Sequence, residues 1–396
     1  MKELPQVKKR INLLARGLDL CGQLCSRLLP TSEAHRLPPP IIPEEQVRRI
    51  LVIQLFALGD ILLSLPLVKS LRGRYPQGEI DLWVGKSWRG IQPLIPFVDR
   101  LISADSQNIA KTLSTLRSVR KRRYDVALVL YPVVIGSWLA FLSGARYRIG
   151  YTHDFDHRQS LAKSSSFLLT HPLELGQSII HDTQRYLALG RVLGLSYLKP
   201  QPPFLFPPRG IISSSKNFLL QMGFRADQPL VGINPNASWQ GKRWPGSHFA
   251  RLADLLIDTH KVQVLFFGSC SEQAYVEKII AFMKHDPLCA AGKTSLAEVA
   301  ALIQHCCLFI SNDSGPMHIA CALDVPTLAI MGPTKVEMFG PWSSISRIVQ
   351  SAFPCSPCRQ ENTNLCGHFS CIRSISVDLV YKAAVEMLSL SSNKGL

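Results

Sequence analysis

CLFISNDSGPMHIA, Cys307 to Ala320, decides how this chain is read. CLFI, Cys307 to Ile310, is a continuous apolar run without alternation, which suits a strand buried on both faces of a parallel sheet. The polar residues after it break the run, and Ser314 to Leu323 follows a helical pattern. A strand feeding a helix through a short polar turn is a βα unit. Gly315 lets the backbone come close to an anion at the helix start, where free N–H groups and the dipole favour negative charge. His318, one turn in, can donate to such an anion. Asp313 would repel a phosphate, so it orders the loop or faces a hydroxyl instead. The stretch is not G-x-G-x-x-G, and that nicotinamide fingerprint occurs nowhere in the chain.

Outward from this unit the same alternation repeats. PLVGINP, VQVLFFG and PTLAIMG read as further strands, with helices over Ser247 to Thr259, Glu272 to Lys284 and Ser295 to Gln304. Upstream, KPQPPFLFPPRG (Lys199 to Gly210) marks a domain boundary. Before it lies another series: RILVIQL, a helix over Asp60 to Leu71, EIDLWVG, DRLI, a helix ending at the basic Arg117 and Arg120 to Arg123, DVALVLY and YRIGY. Positive charge at a helix C-terminus complements the dipole and requires no ligand. Residues 152–182 read as irregular, with His153, His157, His171 and His181 in no metal-ligand spacing. The pattern predicts an α/β fold of two Rossmann-like, doubly wound domains: 49–208, then 209–375 with a late Cys-rich loop, with 376–396 as a C-terminal helix and tail.

Composition agrees. A chain of 396 residues with 46% apolar and 18% charged residues can bury two cores. Lys and Arg number 44 against 28 acids, for a net charge of +16, which attracts polyanions of several kinds. Nucleic acid is excluded for want of the basic-aromatic motifs of its usual binding modules. Residues 1–48 form an extension. Ile11, Leu14, Leu18, Cys21, Cys25 and Leu28 recur at helical steps among cations, and RLPPPIIPEE follows as a tether. That helix fits either an anionic membrane surface or the protein's own surface. No secretory signal is visible, and the eleven cysteines are scattered, which places the chain in a reducing cytosol. Val126 to Ala145 carries no charge over a span-like length, but Pro132 and Gly136 interrupt it. It reads as a buried strand, a turn and a buried helix.

Three strand ends carry the candidate chemistry. In FALGDILLSLP (Phe56 to Pro66), Gly59 makes a tight turn and Asp60 lands at a helix N-terminus, which stabilises a carboxylate; an ordinary N-cap is the plainer reading. In NPNASWQGKRWP (Asn234 to Pro245), Asn236 and Ser238 offer hydrogen bonds and Lys242 offers a point charge for phosphate, while Trp239 and Trp244 either wall a pocket or pack. The third is the Ser311 to Ala320 segment.

Together, Gly59-Asp60, the K-x-W-P of Lys242 to Pro245, and the S-x-D-S-G-x-x-H of Ser311 to His318 resemble glycosyltransferase family nine, the ADP-heptose:lipopolysaccharide heptosyltransferases. The resemblance spans residues 49–390. It implies a GT-B fold with two domains facing a cleft, and an inverting transfer with no metal and no cofactor. It implies Asp60 as general base and Ser238 and Lys242 on donor phosphates. Glu272 would meet the ribose and Thr294 the adenine, with Asp313, Ser314, Gly315 and His318 completing the donor site. The family often has threonine where Ala237 stands, a departure that touches one phosphate contact. The implied partners are a nucleotide sugar, a glycolipid or glycan acceptor and an anionic membrane, with the protein peripheral on the inner face of the plasma membrane. Transfer from another sugar nucleotide, or silent nucleotide-sugar binding, are the alternatives.

Cys355, Cys358, Cys366 and Cys371 give C-x2-C-x7-C-x4-C. The first pair has zinc-ligand spacing and the second is looser. A tetrathiolate site, reduced thiols and a disulfide all fit, and no metal is assigned.

Overall fold

The apolar runs become parallel strands because each is buried on both faces. All but the first residue of RILVIQ are buried, as are all five of LFISN. The computed structural model describes residues 40–104, 109–131, 134–152, 165–174, 179, 181–196, 200–358 and 366–392. The basic helix expected in residues 1–39, together with His153 and His157, lies outside the described residues. The chain divides into two units, Met1–Gln92 with Pro96–Pro200, and Pro93–Ile95 with Gln201–Leu396.

The first unit runs β1 (Arg49–Gln54), α1 (Leu58–Arg74), β2 (Glu79–Gly85), β3 (Arg100–Ala104), α2 (Ile109–Lys121), β4 (Val126–Val129), α3 (Val134–Leu142), β5 (Tyr147–Tyr151), β6 (His171–Leu173) and α4 (Asp182–Leu189). Its strands pair in parallel in the order β3-β2-β1-β4-β5-β6. Leu51, Ile53, Trp83, Ala127, Val129 and Leu139 form a core between this sheet and α3. The Leu, Ile and Val side chains among them each contribute about 1.5–3 kcal/mol on burial.

The second unit runs α5 (Arg209–Gln221), β7 (Leu230–Asn234), α6 (Gly246–His260), β8 (Gln263–Phe266), α7 (Gln273–Ile280), β9 (Leu288–Cys289), α8 (Leu296–Gln304), β10 (Leu308–Asn312), α9 (Gly315–Ala322), β11 (Thr327–Met331), α10 (Val336–Phe339), β12 (Ser346–Gln350), α11 (Ser370–Arg373) and α12 (Val377–Ser392). Its parallel order is β12-β11-β10-β7-β8-β9. The C-terminal helix, expected as a separate tail, completes this core: Val380, Ala384 and Met387 pack with Trp244, Ile310 and Leu328.

Both sheets therefore have the same doubly wound topology, the domain composition of the GT-B class. In each, the strand order reverses beside the first strand, between β1 and β4 and between β7 and β10. Ligands of such sheets bind outside the carboxyl ends of the strands at that switch point.

Two expectations change here. Residues 152–182 are not wholly irregular, since His171–Leu173 adds an edge strand through pairing with Ile149 to Tyr151. Three residues are too few for a hydropathy pattern. Val126 to Ala145 does form a strand and a helix, but α3 is buried on one side only: Ile135 is 37% and Phe141 44% exposed. Among the described residues, no helix is long and apolar enough to cross a membrane.

Candidate functional site

Strands β7 and β10 are neighbours, with Asn234 opposite Ser311, so the loops that follow them leave the sheet side by side. Asn234 ties them together. Its Nδ2 donates to Ser311 Oγ at 3.2 Å, to Ser314 Oγ at 2.9 Å and to the Asn236 carbonyl at 3.2 Å. Asn312 does the same from the other side, donating to the Pro235 carbonyl at 2.7 Å and accepting from the Trp244 N–H at 3.1 Å. These amides are buried, and their bonds to backbone and hydroxyl groups join the bases of the two loops.

The frame holds one ion pair. Lys242, at the end of a 3-10 turn (Gln240–Lys242), places Nζ 2.7 Å from Asp313 Oδ2. Thr334 Oγ1, beyond β11, donates to the same oxygen. Asp313 is buried, while the Lys242 side chain keeps 27% of its surface exposed. Burial pushes the Asp313 carboxyl up, but the Lys242 charge, its hydrogen bond, that of Thr334 and nearby His318 together hold it below the usual carboxylate range. Asp313 thus stays ionised and keeps Lys242 at the start of α9. Ser314 is the extended N-cap of that helix, and Pro316 stands in its first turn. Proline has no N–H, which leaves Gly315 and Met317 as the first-turn donors.

The other expected residues of this half follow along the same sheet edge. Ser238 is exposed at the end of the β7 loop. Glu272 closes a capping box, its Oε2 accepting from Ser269 N at 2.9 Å and Ser269 Oγ at 2.7 Å. Thr294 follows β9, with a buried Oγ1 that has no hydrogen-bond partner among the described residues. The two tryptophans part company. Trp244 is wholly buried, donates from Nε1 to the Ile375 carbonyl at 2.8 Å and stacks edge-on to Phe249. Trp239 is only half-buried, edge-on to Phe369, and its ring lies where a Cβ on Gly241 would stand.

Asp60 belongs to the first unit. It is the third residue of α1, half-buried, and its Oδ2 accepts from Ala57 N at 3.1 Å. The expected turn at Gly59 is corrected: Gly59 is already the second residue of α1, and the chain turns over Leu55 to Ala57. Around it stand residues with no motif of their own. Phe56 and Tyr131, at the ends of β1 and β4, have ring centroids 4.4 Å apart, and Trp88 Nε1 donates to the Phe56 carbonyl at 2.9 Å. Behind Asp60 the Tyr186 phenol is buried; burial, then Asp182 and Asp60, push its pKa far up, so it stays neutral. A surface cavity of about 710 Å³ opens at the other end of this sheet. Its charged rim is spent on pairs such as Arg49–Glu79 and Arg74–Glu44, so it is not the site.

The profile of Glycosyltransferase family 9 (heptosyltransferase) matches residues 112–368. The chain belongs to glycosyltransferase family 9. It is 30% identical to Lipopolysaccharide heptosyltransferase 2 of Escherichia coli, over 76% of this chain and 88% of that protein. Among solved structures, a family 9 glycosyl transferase from Veillonella parvula is 25% identical, with a TM-score of 0.74, covering 87% of this chain and 97% of that one. E. coli ADP-heptose lps heptosyltransferase II is 26% identical with a TM-score of 0.71, covering 87% and 99%. A family 9 member with two Rossmann-like units is a glycosyltransferase.

The late cysteines of this family 9 chain lie against the loop that follows β11. Cys358 N donates to the Pro333 carbonyl at 2.8 Å and Ser356 Oγ to that of Gly332 at 2.7 Å, next to Thr334. Cys371 is pushed up to about 11, by burial first and then by the nearby Cys358, Cys355 and Cys366. All four are free, and among the described residues no group is arranged to hold a metal.

Proposed function

We propose that this chain transfers a heptose or a closely related sugar from an ADP-sugar to the lipopolysaccharide core, or to a similar glycolipid, at the inner face of the plasma membrane. The observation that carries the reading is the buried Asp313 holding a partly open Lys242 at the start of α9 in a family 9 chain. Its E. coli relatives, by name an ADP-heptose and a lipopolysaccharide heptosyltransferase, suggest the sugar, the nucleotide and the acceptor class. Lys242 and the first-turn N–H groups offset the charge of a departing diphosphate, so the reading needs no divalent cation. Ser238, Gly315 and His318 border the same loops, while Glu272 and Thr294 lie farther along the edge for the nucleoside.

Asp60 acts as general base. The acceptor oxygen forms its bond to the anomeric carbon opposite the leaving diphosphate, which inverts the centre. The glycosidic electron pair leaves on the phosphate oxygen, and the hydroxyl proton passes to the carboxylate. An ordinary aspartate suffices because the hydroxyl turns acidic as the new bond forms. Asp60→Asn lowers kcat about 10²–10⁴-fold with ADP affinity unchanged, whereas Lys242→Ala weakens ADP binding. Transfer should survive a chelator. Near-normal turnover by Asp60→Asn, or loss of transfer on chelation, would sink the corresponding part of the reading.

A further inference from the structure

Helix α3 carries no charged residue, yet it shows one apolar stripe to solvent. Ile135, Trp138 and Phe141 recur at three-residue steps, the outer two 37% and 44% exposed, while Val134, Gly136, Ser137, Leu139 and Ala140 are buried against the sheet. Single exposed apolar residues are ordinary, but a stripe rimmed by charge is not. Arg148 lies over the Phe141 ring at 5.6 Å, and Arg120 reaches the Leu142 carbonyl at 3.5 Å. Arg120 and Arg146 are exposed. The stretch Ile109 to Tyr151, from α2 to β5, holds eight Lys and Arg against the single Asp125. Even that carboxylate is engaged, accepting from the backbone N–H groups of Arg48 and Arg49. Helices α2 and α3 pack together, whereas α1 packs with α4. Right-handed crossovers with this strand order put the two pairs on opposite faces of the sheet. The cations and the apolar stripe therefore share one face.

We infer that the α2–α3 face docks on an anionic lipid bilayer, with Ile135, Trp138 and Phe141 entering the headgroup boundary and the exposed Arg120 and Arg146 on the lipid charges. The chemistry of the face selects this occupant: apolar and aromatic residues at the centre, cations at the rim, and almost no acid to repel phosphate. Helix α3 also begins just beyond Tyr131, which touches Phe56 four residues before Asp60. A lipid-anchored acceptor would thus be met beside the carboxylate. The inference deepens the proposed function by naming the surface that meets the acceptor's membrane.

The test is flotation of the full chain with phosphatidylcholine vesicles, with and without phosphatidylglycerol. Binding is expected only with the anionic lipid and should fall in high salt. Arg120→Gln and Arg146→Gln should each lower the partition coefficient about five-fold, and Ile135→Ser with Phe141→Ser about ten-fold or more. The arginine variants change exposed side chains only, so they keep the test valid if the serine pair folds poorly. Undiminished binding of the double arginine variant overturns the inference and points to the basic residues 1–39. Equal binding to neutral vesicles overturns it too, as does self-association that Phe141→Ser abolishes, which would make the face a contact between two copies. Transfer to a water-soluble acceptor fragment should keep its normal rate in the arginine variants. If no acceptor is glycosylated while the vesicle result stands, the functional reading fails and the docking surface does not.

Discussion

Asp313 shows how one residue can serve a site without touching the reacting atoms. Its charge lies beside the place assigned to a diphosphate, where by itself it would repel. Paired with Lys242 at 2.7 Å and bonded by Thr334, it fixes an ammonium group that stays partly exposed. Because its folded pKa lies below the unfolded value, it contributes stability that is present above the ordinary carboxylate pKa of 3.8 and is lost as pH falls through the depressed folded value. Asp313→Asn should remove this contribution. Urea midpoints measured from neutral pH down to the acid limb should therefore fall less steeply for the variant than for the parent chain. Parallel acid limbs would mean that the pair does not form in solution. The variant should also weaken ADP binding at neutral pH, because Lys242 loses its anchor.

The loop between β7 and α6 is built from residues whose sequence signals were unequal. Lys242 was legible as a mobile cation after a strand, and Ser314 to His318 as a helix start, because those roles follow from local chain chemistry. Trp244 was not: whether a tryptophan walls a pocket or fills a core depends on α12, more than a hundred residues later. The strand–helix alternation was readable for the same reason that β6 and β9 were missed, since continuous runs declare themselves and two- or three-residue strands do not. Thr334, Phe56 and Tyr131 carried no motif; only the register of neighbouring strands brings them to the site. Gly59 misled because a glycine before a helix suggests a turn, whereas here the helix has already begun. Trp244→Phe tests the anchoring role. It leaves the Ile375 carbonyl without its donor, which costs about 1–3 kcal/mol for a buried group. A lower melting temperature with near-normal donor affinity in the folded protein is expected. Unchanged stability would show that the indole hydrogen bond contributes nothing.

At the scale of the whole molecule, the two units repeat one topology but divide the work. Each has its own core and its own switch point. In the second, the partly exposed Lys242 is held by the buried Asp313 at the start of α9, and in the first Asp60 stands beside the aromatic pair Phe56–Tyr131. The division predicts where a nucleotide should be felt. A ligand bound to the native state alone stabilises it by RT ln(1 + [L]/Kd), about 2.7 kcal/mol at a hundred times Kd. That gain should appear where the contacts are made. Hydrogen exchange with and without ADP should therefore slow at the ends of β7 and β10, through Asn236 to Lys242 and in the first turn of α9. The loop from Leu55 to Asp60 should change much less. In Lys242→Ala the added protection should fade, whereas in Asp60→Asn it should persist, since the role proposed for that carboxylate is toward the acceptor and not the nucleotide. Protection centred on Leu55 to Asp60 would reverse the assignment of donor and acceptor units. It would also move the phosphate-binding role away from α9, where the strand CLFI first suggested it.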